Sequence, residues 1–135
     1  VSGAAEALTE AMRAALLAHA PLRELLGGAH VHDEPPRGAR LPFVSFETLE
    51  TRDWSTADHK AHEHLVTLAV RTGNRGRNLA QRILDAIEAA LDGASLPLEG
   101  HRLVNLRLVF WSVTRERQGE NFGALARFRA ATETE

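Results

Sequence analysis

Cysteine and tyrosine are absent, lysine occurs once, and aromatic residues make up 5% of the 135 positions. Without cysteine there is no disulfide and no thiolate metal site. So few aromatics argue against a sheet that stacks nucleic-acid bases. No apolar run approaches the ~18 residues of a membrane-spanning helix. No basic segment precedes an apolar one near residue 1, so no signal peptide is expected. What remains is ordinary: 44% hydrophobic residues, 25% charged residues, 10 Gly and 5 Pro. That composition describes a soluble globular protein. At ~100–200 residues per domain, a single domain over 1–135 is expected.

The net charge of −2 gives no general attraction to nucleic acid. Its distribution is uneven. Residues 1–70 hold 6 basic and 10 acidic side chains, whereas residues 101–131 hold 6 basic and 2 acidic. An acidic N-terminal half and a basic C-terminal part suit attraction between neighbouring copies. Fifteen of the sixteen cations are arginine, which with the many Ala and Leu reads as the composition of a GC-rich genome.

Good helix formers run from Ala4 to His19, with Leu8, Met12, Ala15, Leu16 and His19 at helical spacing. Ser2 is the expected N-cap, Pro21 the expected end, and Leu22, Leu25 and Leu26 one more turn before Gly27-Gly28. After a connector with a short strand at Val31-His32, alternation predicts a strand over Phe43–Arg52, with Val44, Phe46 and Thr48 on one face. Asp53–Lys60 reads as a loop and His62–Thr72 as a second strand, with His64, Val66, Leu68 and Val70 on one face. A Gly73–Gly76 turn precedes a helix over Arg77–Leu91, whose buried stripe is Leu79, Ile83, Leu84, Ile87 and Leu91. Leu103–Arg115 and Asn121–Ala131 are the last strands, joined by a polar hairpin at 115–120. Hairpin-sized links favour antiparallel pairing. The expected fold is α+β: a four- to five-stranded, mainly antiparallel sheet with two helices packed on one face.

Few residues suggest chemistry. His62 and His64 lie two apart on a strand and share a face, with His59 close by. They are the candidate ligands of a small metal-dependent hydrolase, but a zincin pattern needs a helix and an i, i+4 pair. A polar strand start, with His64 leading into the sheet, is the preferred reading of them. Gly73–Arg77 lacks the lysine and the spacing of a phosphate loop. No serine sits in a nucleophile elbow. A small-molecule binding domain is the third reading.

Several segments together resemble a known family. Val31-His32-Asp33-Glu34-Pro35-Pro36 is followed by Leu41-Pro42-Phe43-Val44, then Asp53-Trp54-Ser55-Thr56, then His62-Glu63-His64 opening a strand. After the second long helix come Leu91-Asp92-Gly93, the run from Leu96 to Val104, and Phe128-Arg129-Ala130. Their order resembles the tail-completion, or tail-terminator, proteins of long-tailed bacteriophages and gene transfer agents. His32 stands where the family carries a tyrosine.

The resemblance implies an α+β fold, no catalysis and no cofactor or metal. It implies a homo-hexameric ring at the head-proximal end of the tail tube, which ends tube polymerisation and joins the tail to the head. The implied partners are other copies of the chain, the major tail tube protein and the head–tail connector. DNA passes through the lumen without specific binding, and no membrane is involved. Assembly is expected in the bacterial cytoplasm. A ring is closed by heterologous contacts, and two segments are the candidate interface. Trp54 is a large aromatic in a polar loop with Asp53, Ser55 and Thr56; Arg115, Glu116, Arg117 and Glu120 offer both signs of charge in a hairpin. Glu47, Glu50 and Glu63 are candidates for a lumen that repels DNA.

Overall fold

A computed structural model of the chain describes residues 3–73, 76–115 and 122–135. The element order is α1 (Ala4–Ala18), α2 (Ala20–Leu26), β1 (Val31–His32), β2 (Phe43–Asp53), β3 (Ala61–Gly73), α3 (Arg77–Leu91), β4 (His101–Arg115) and β5 (Phe122–Thr134). The strands form one sheet in the order β1-β2-β3-β5-β4. Among the described residues only the β1–β2 pair is parallel; the other neighbours are antiparallel. The α+β expectation is met, with the helical layer divided into three pieces.

The division falls at Pro21. It lies in the first turn of α2, where its missing N–H costs nothing, instead of following the helix. α1 therefore stops at Ala18, and His19 links the two helices. The N-cap of α1 is Gly3, whose carbonyl accepts the Ala7 N–H at 3.0 Å; Ser2 lies outside the described residues. α2 ends as Gly27-Gly28 predicts. Gly27 takes φ 75°, and the Arg23 carbonyl accepts both glycine N–H groups at 2.9 and 3.0 Å.

The core lies between the helices and one face of the sheet. Leu8, Met12 and Leu16 of α1 and Ile83, Leu84, Ile87 and Leu91 of α3 pack on Val44, Val66, Leu68, Val70, Leu106, Ala126 and Phe128. None of the described helices is long and apolar enough to cross a membrane.

Strand bounds extend by one to three residues past those expected, because cross-strand pairing continues into polar sequence. One alternation is wrong. A bulge between Phe46 and Thr48 takes Thr48 to the opposite face, and Leu49 replaces it opposite Val66. Asp53 belongs to β2, paired with His62, so the loop begins at Trp54. Gly123 marks a close approach between strands: a Cβ there would lie 2.8 Å from the carbonyl oxygen of Val70.

Candidate functional site

The sheet face away from the helices carries the most organised surface chemistry. Register places Arg52, Glu63, Leu65, Thr67, Arg127 and Arg129 on it. Glu63 is its centre. Only 7% exposed, it accepts from Arg129 Nε at 2.6 Å and from Arg52 Nε at 2.5 Å, linking three strands. The hydrogen bond from Arg129 and the second guanidinium of Arg52 hold its carboxyl below the usual carboxylate range, against the opposing effect of burial. Glu63 thus offers no free negative charge to a lumen. Glu47 and Glu50, in contrast, stand exposed on β2.

Trp54 closes this strip. Its backbone N–H donates to the Ala61 carbonyl at 2.9 Å, and the Arg129 guanidinium lies 5.7 Å from its ring centroid. The indole is still 47% exposed. It leans on its own sheet through one cation and leaves much of its surface to solvent. Asp53, Ser55 and Thr56 do something different: they build the loop. The Asp53 carboxylate accepts Ser55 Oγ at 2.6 Å and Ser55 N–H at 3.2 Å, and these bonds lower its pKa. Ser55 Oγ accepts the Ala61 N–H at 3.0 Å, and Thr56 Oγ1 accepts the His59 N–H at 3.2 Å. The loop thus holds itself in place and presents Trp54.

The second candidate segment lies at the other end of the sheet. Arg115 pairs with Phe122, and its guanidinium sits 5.9 Å from that ring. Glu116, Arg117 and Glu120 lie outside the described residues. Asp53 pairs with His62 at one end of the strands, while Phe43 begins β2 at the end where Arg115 finishes β4. The two segments are therefore not brought together.

The histidines are not arranged as ligands. His64 is fully buried, with Nδ1 2.9 Å from Thr51 Oγ1 and Nε2 2.9 Å from Thr132 Oγ1. Both ring nitrogens are thus engaged by hydroxyls. Burial, reinforced by His62 and His101, pushes its pKa down to about 4. His62 does share the face of His64, their ring centroids 6.1 Å apart. Among the described residues no three His, Asp or Glu side chains are grouped to hold a metal ion.

Two surface features escape the sequence reading. Val104, Val109, Phe110 and Trp111 are 41–55% exposed on β4, an outer strand. A groove of about 550 Å³ runs between α1 and the β1–β2 edge, lined by Glu6, Glu10, Arg13, His32, Glu34 and Phe46 among others. The clue to the first was the rare pairing of two aromatics, Phe110 and Trp111, in one strand. The second is made by helix and strand residues far apart in the chain, so no local pattern marks it.

A comparison with curated protein sequences finds no match. Among solved structures, the chain is similar to one in the virion of a native gene transfer agent particle. The TM-score is 0.86 and the identity 30%, over 98% of this chain and 99% of that one. The gp17 protein of bacteriophage SPP1 shares the fold at a TM-score of 0.67 and 23% identity, over 94% and 89% of the two chains. The match at this identity and coverage defines the class: a structural protein of a phage-like particle. More narrowly, residues 10–133 match the family model of the tail completion protein gp17, and the chain belongs to that family. This is a family of structural virion proteins and not of enzymes, so the hydrolase reading of His59, His62 and His64 falls.

Proposed function

We propose that this chain, acting as one domain over 1–135, forms a six-membered ring at the head-proximal end of a tail tube. The ring stops tube polymerisation and gives the head connector a surface to bind. DNA passes through its lumen without specific contact. The observation that supports this best is the near-complete overlap with a chain of a gene transfer agent virion. The surface supports it independently. The chain exposes two outer strands, a free sheet face and a half-exposed tryptophan, all features that protein–protein contacts use. The uneven charge suits the head-to-tail contacts of a cyclic assembly.

The test is to produce particles lacking this protein and image their tails. Overlong or headless tails are the expected result. Normal, head-joined tails would remove the capping role, and solution mass measurement of the purified chain checks the number of copies.

A further inference from the structure

Four residues form one row across the helix-covered face of the sheet. Phe46 on β2 pairs with Leu68, Leu68 with Ala126, and Ala126 with Trp111 on β4. The two inner members are fully buried. The row ends at both outer edges with an aromatic that this copy leaves partly uncovered. Phe46 lines the α1–β2 groove, and Trp111 is 55% exposed.

The two edges are opposite in charge. The groove and its continuation along β2 carry Glu6, Glu10, Asp33, Glu34 and Glu47. Arg13 is the cation in that lining, and its Nε donates to the Val31 carbonyl at 3.1 Å. β4 carries Arg102, Arg107 and Arg115 and no acidic residue; Arg102 pairs with Glu133 at 2.6 Å and Arg107 with Asp92 at 3.4 Å, so among the described residues Arg115 carries the edge's uncompensated charge. Part of its edge is already capped, since Asp92 Oδ1 accepts the Leu108 N–H at 2.8 Å and Gly93 N–H donates to Leu106 at 2.8 Å. Immediately past this clamp come the exposed Val109, Phe110 and Trp111.

We infer that Trp111 of one copy seats in the α1–β2 groove of the next, against its Phe46. The occupant is a second copy of this chain, approaching edge to edge with its helices on the same side of the sheet. In that arrangement the aromatic row continues from one copy into the next. Arg115, on the same face of β4 as Trp111, meets the acidic rim and sets which edge meets which. Because β4 runs opposite to β2 within the sheet, neighbouring outer strands meet antiparallel when copies are related by rotation about an axis along the strands. The contact is heterologous, as a closed ring requires. The inference gives the ring of the proposed function its contact surface and rests on that reading.

Because the chain has no cysteine, the test is clean. Full-length protein carrying both Glu47→Cys and Trp111→Cys is oxidised and run on a non-reducing gel. A ladder of covalent oligomers is expected from the double variant and none from either single variant. Dimers from Trp111→Cys alone would mean a two-fold contact and overturn the head-to-tail seat. Separately, Trp111→Ala should raise the midpoint concentration for self-assembly at least tenfold while leaving the thermal midpoint in place. Wild type that assembles, with Trp111→Ala assembling equally well and no ladder, overturns the seat but leaves the ring standing. Wild type that stays monomeric, with no ladder from the double variant and normal tails on particles lacking the protein, removes both.

Discussion

His64 makes the sharpest test of the interior. Its imidazole is buried between Thr51 and Thr132, and its pKa lies near 4 instead of the ordinary 6.5. Above pH 6.5 the ring is neutral in both folded and unfolded chains, and its contribution to stability is complete. As the pH falls from 6.5 towards 4, the unfolded chain takes up a proton that the native interior refuses. Stability is therefore lost across that window and levels off below it. The 2.5-unit gap corresponds to about 3 kcal/mol in all, of which about 2 kcal/mol is gone by pH 5. The loss is a large part of the ~5–15 kcal/mol that holds a domain together.

Urea melts at pH 7, 6 and 5 measure it. The His64→Gln protein should begin less stable at pH 7, by roughly 1–3 kcal/mol for the disturbed hydrogen bonds, and should show a flatter pH dependence. The paired carboxylates interfere little above pH 5. Glu63 and Glu133, held down mainly by hydrogen bonds from Arg129 and Arg102 respectively, release their stabilisation only below the ordinary value of 4.5. Equal pH slopes for wild type and variant, or an NMR titration of His64 centred near 6.5, would refute the reasoning.

Ile83, on the sheet-facing side of α3, is fully buried, so Ile83→Ala should cost about 2–5 kcal/mol in a denaturant melt. Gly123→Ala should cost about 1–3 kcal/mol, because the new methyl group meets the backbone oxygen of Val70 and neither strand can yield; an unchanged melting curve would mean the strands have slack. Trp54→Ala gives up one exposed cation–π contact of ~0.5–1 kcal/mol. Its thermal midpoint should therefore fall by only a few degrees, while electron micrographs show unfinished or overlong tails.

Most of the fold was legible because periodicity reports burial. The α3 stripe of Ile83, Leu84, Ile87 and Leu91 and the β5 stripe of Ala124, Ala126, Phe128 and Ala130 both face the core. Three features were not legible, for separate reasons. A proline in sequence cannot say whether it closes one helix or opens another, and at Pro21 it opens α2. Strict alternation cannot foresee a bulge, and the one after Phe46 turns Thr48 to the face opposite the one alternation predicts. Strand order is a long-range property: nothing local says that β5 inserts between β3 and β4, leaving β4 outermost. That placement leaves Val109, Phe110 and Trp111 at the surface.

The same strand order separates kinds of contact. Sheet edges lie to the sides of the strands, whereas Trp54 and Arg115 lie at opposite strand ends. In a ring whose axis follows the strands, the sides meet equivalent copies and the ends meet whatever lies above and below. The chemistry agrees with that division. The sides carry a matched pair, acidic groove and basic aromatic edge, as contacts between identical subunits need. The ends are unlike each other: a loop fixed by Asp53, Ser55 and Thr56 presents one tryptophan, and the other end carries Arg115 stacked on Phe122. Two unlike ends suit the two unlike partners of the proposed ring, tail tube and head connector. A change at the Trp54 end should then leave ring closure intact, because that end takes no part in the proposed contact between copies.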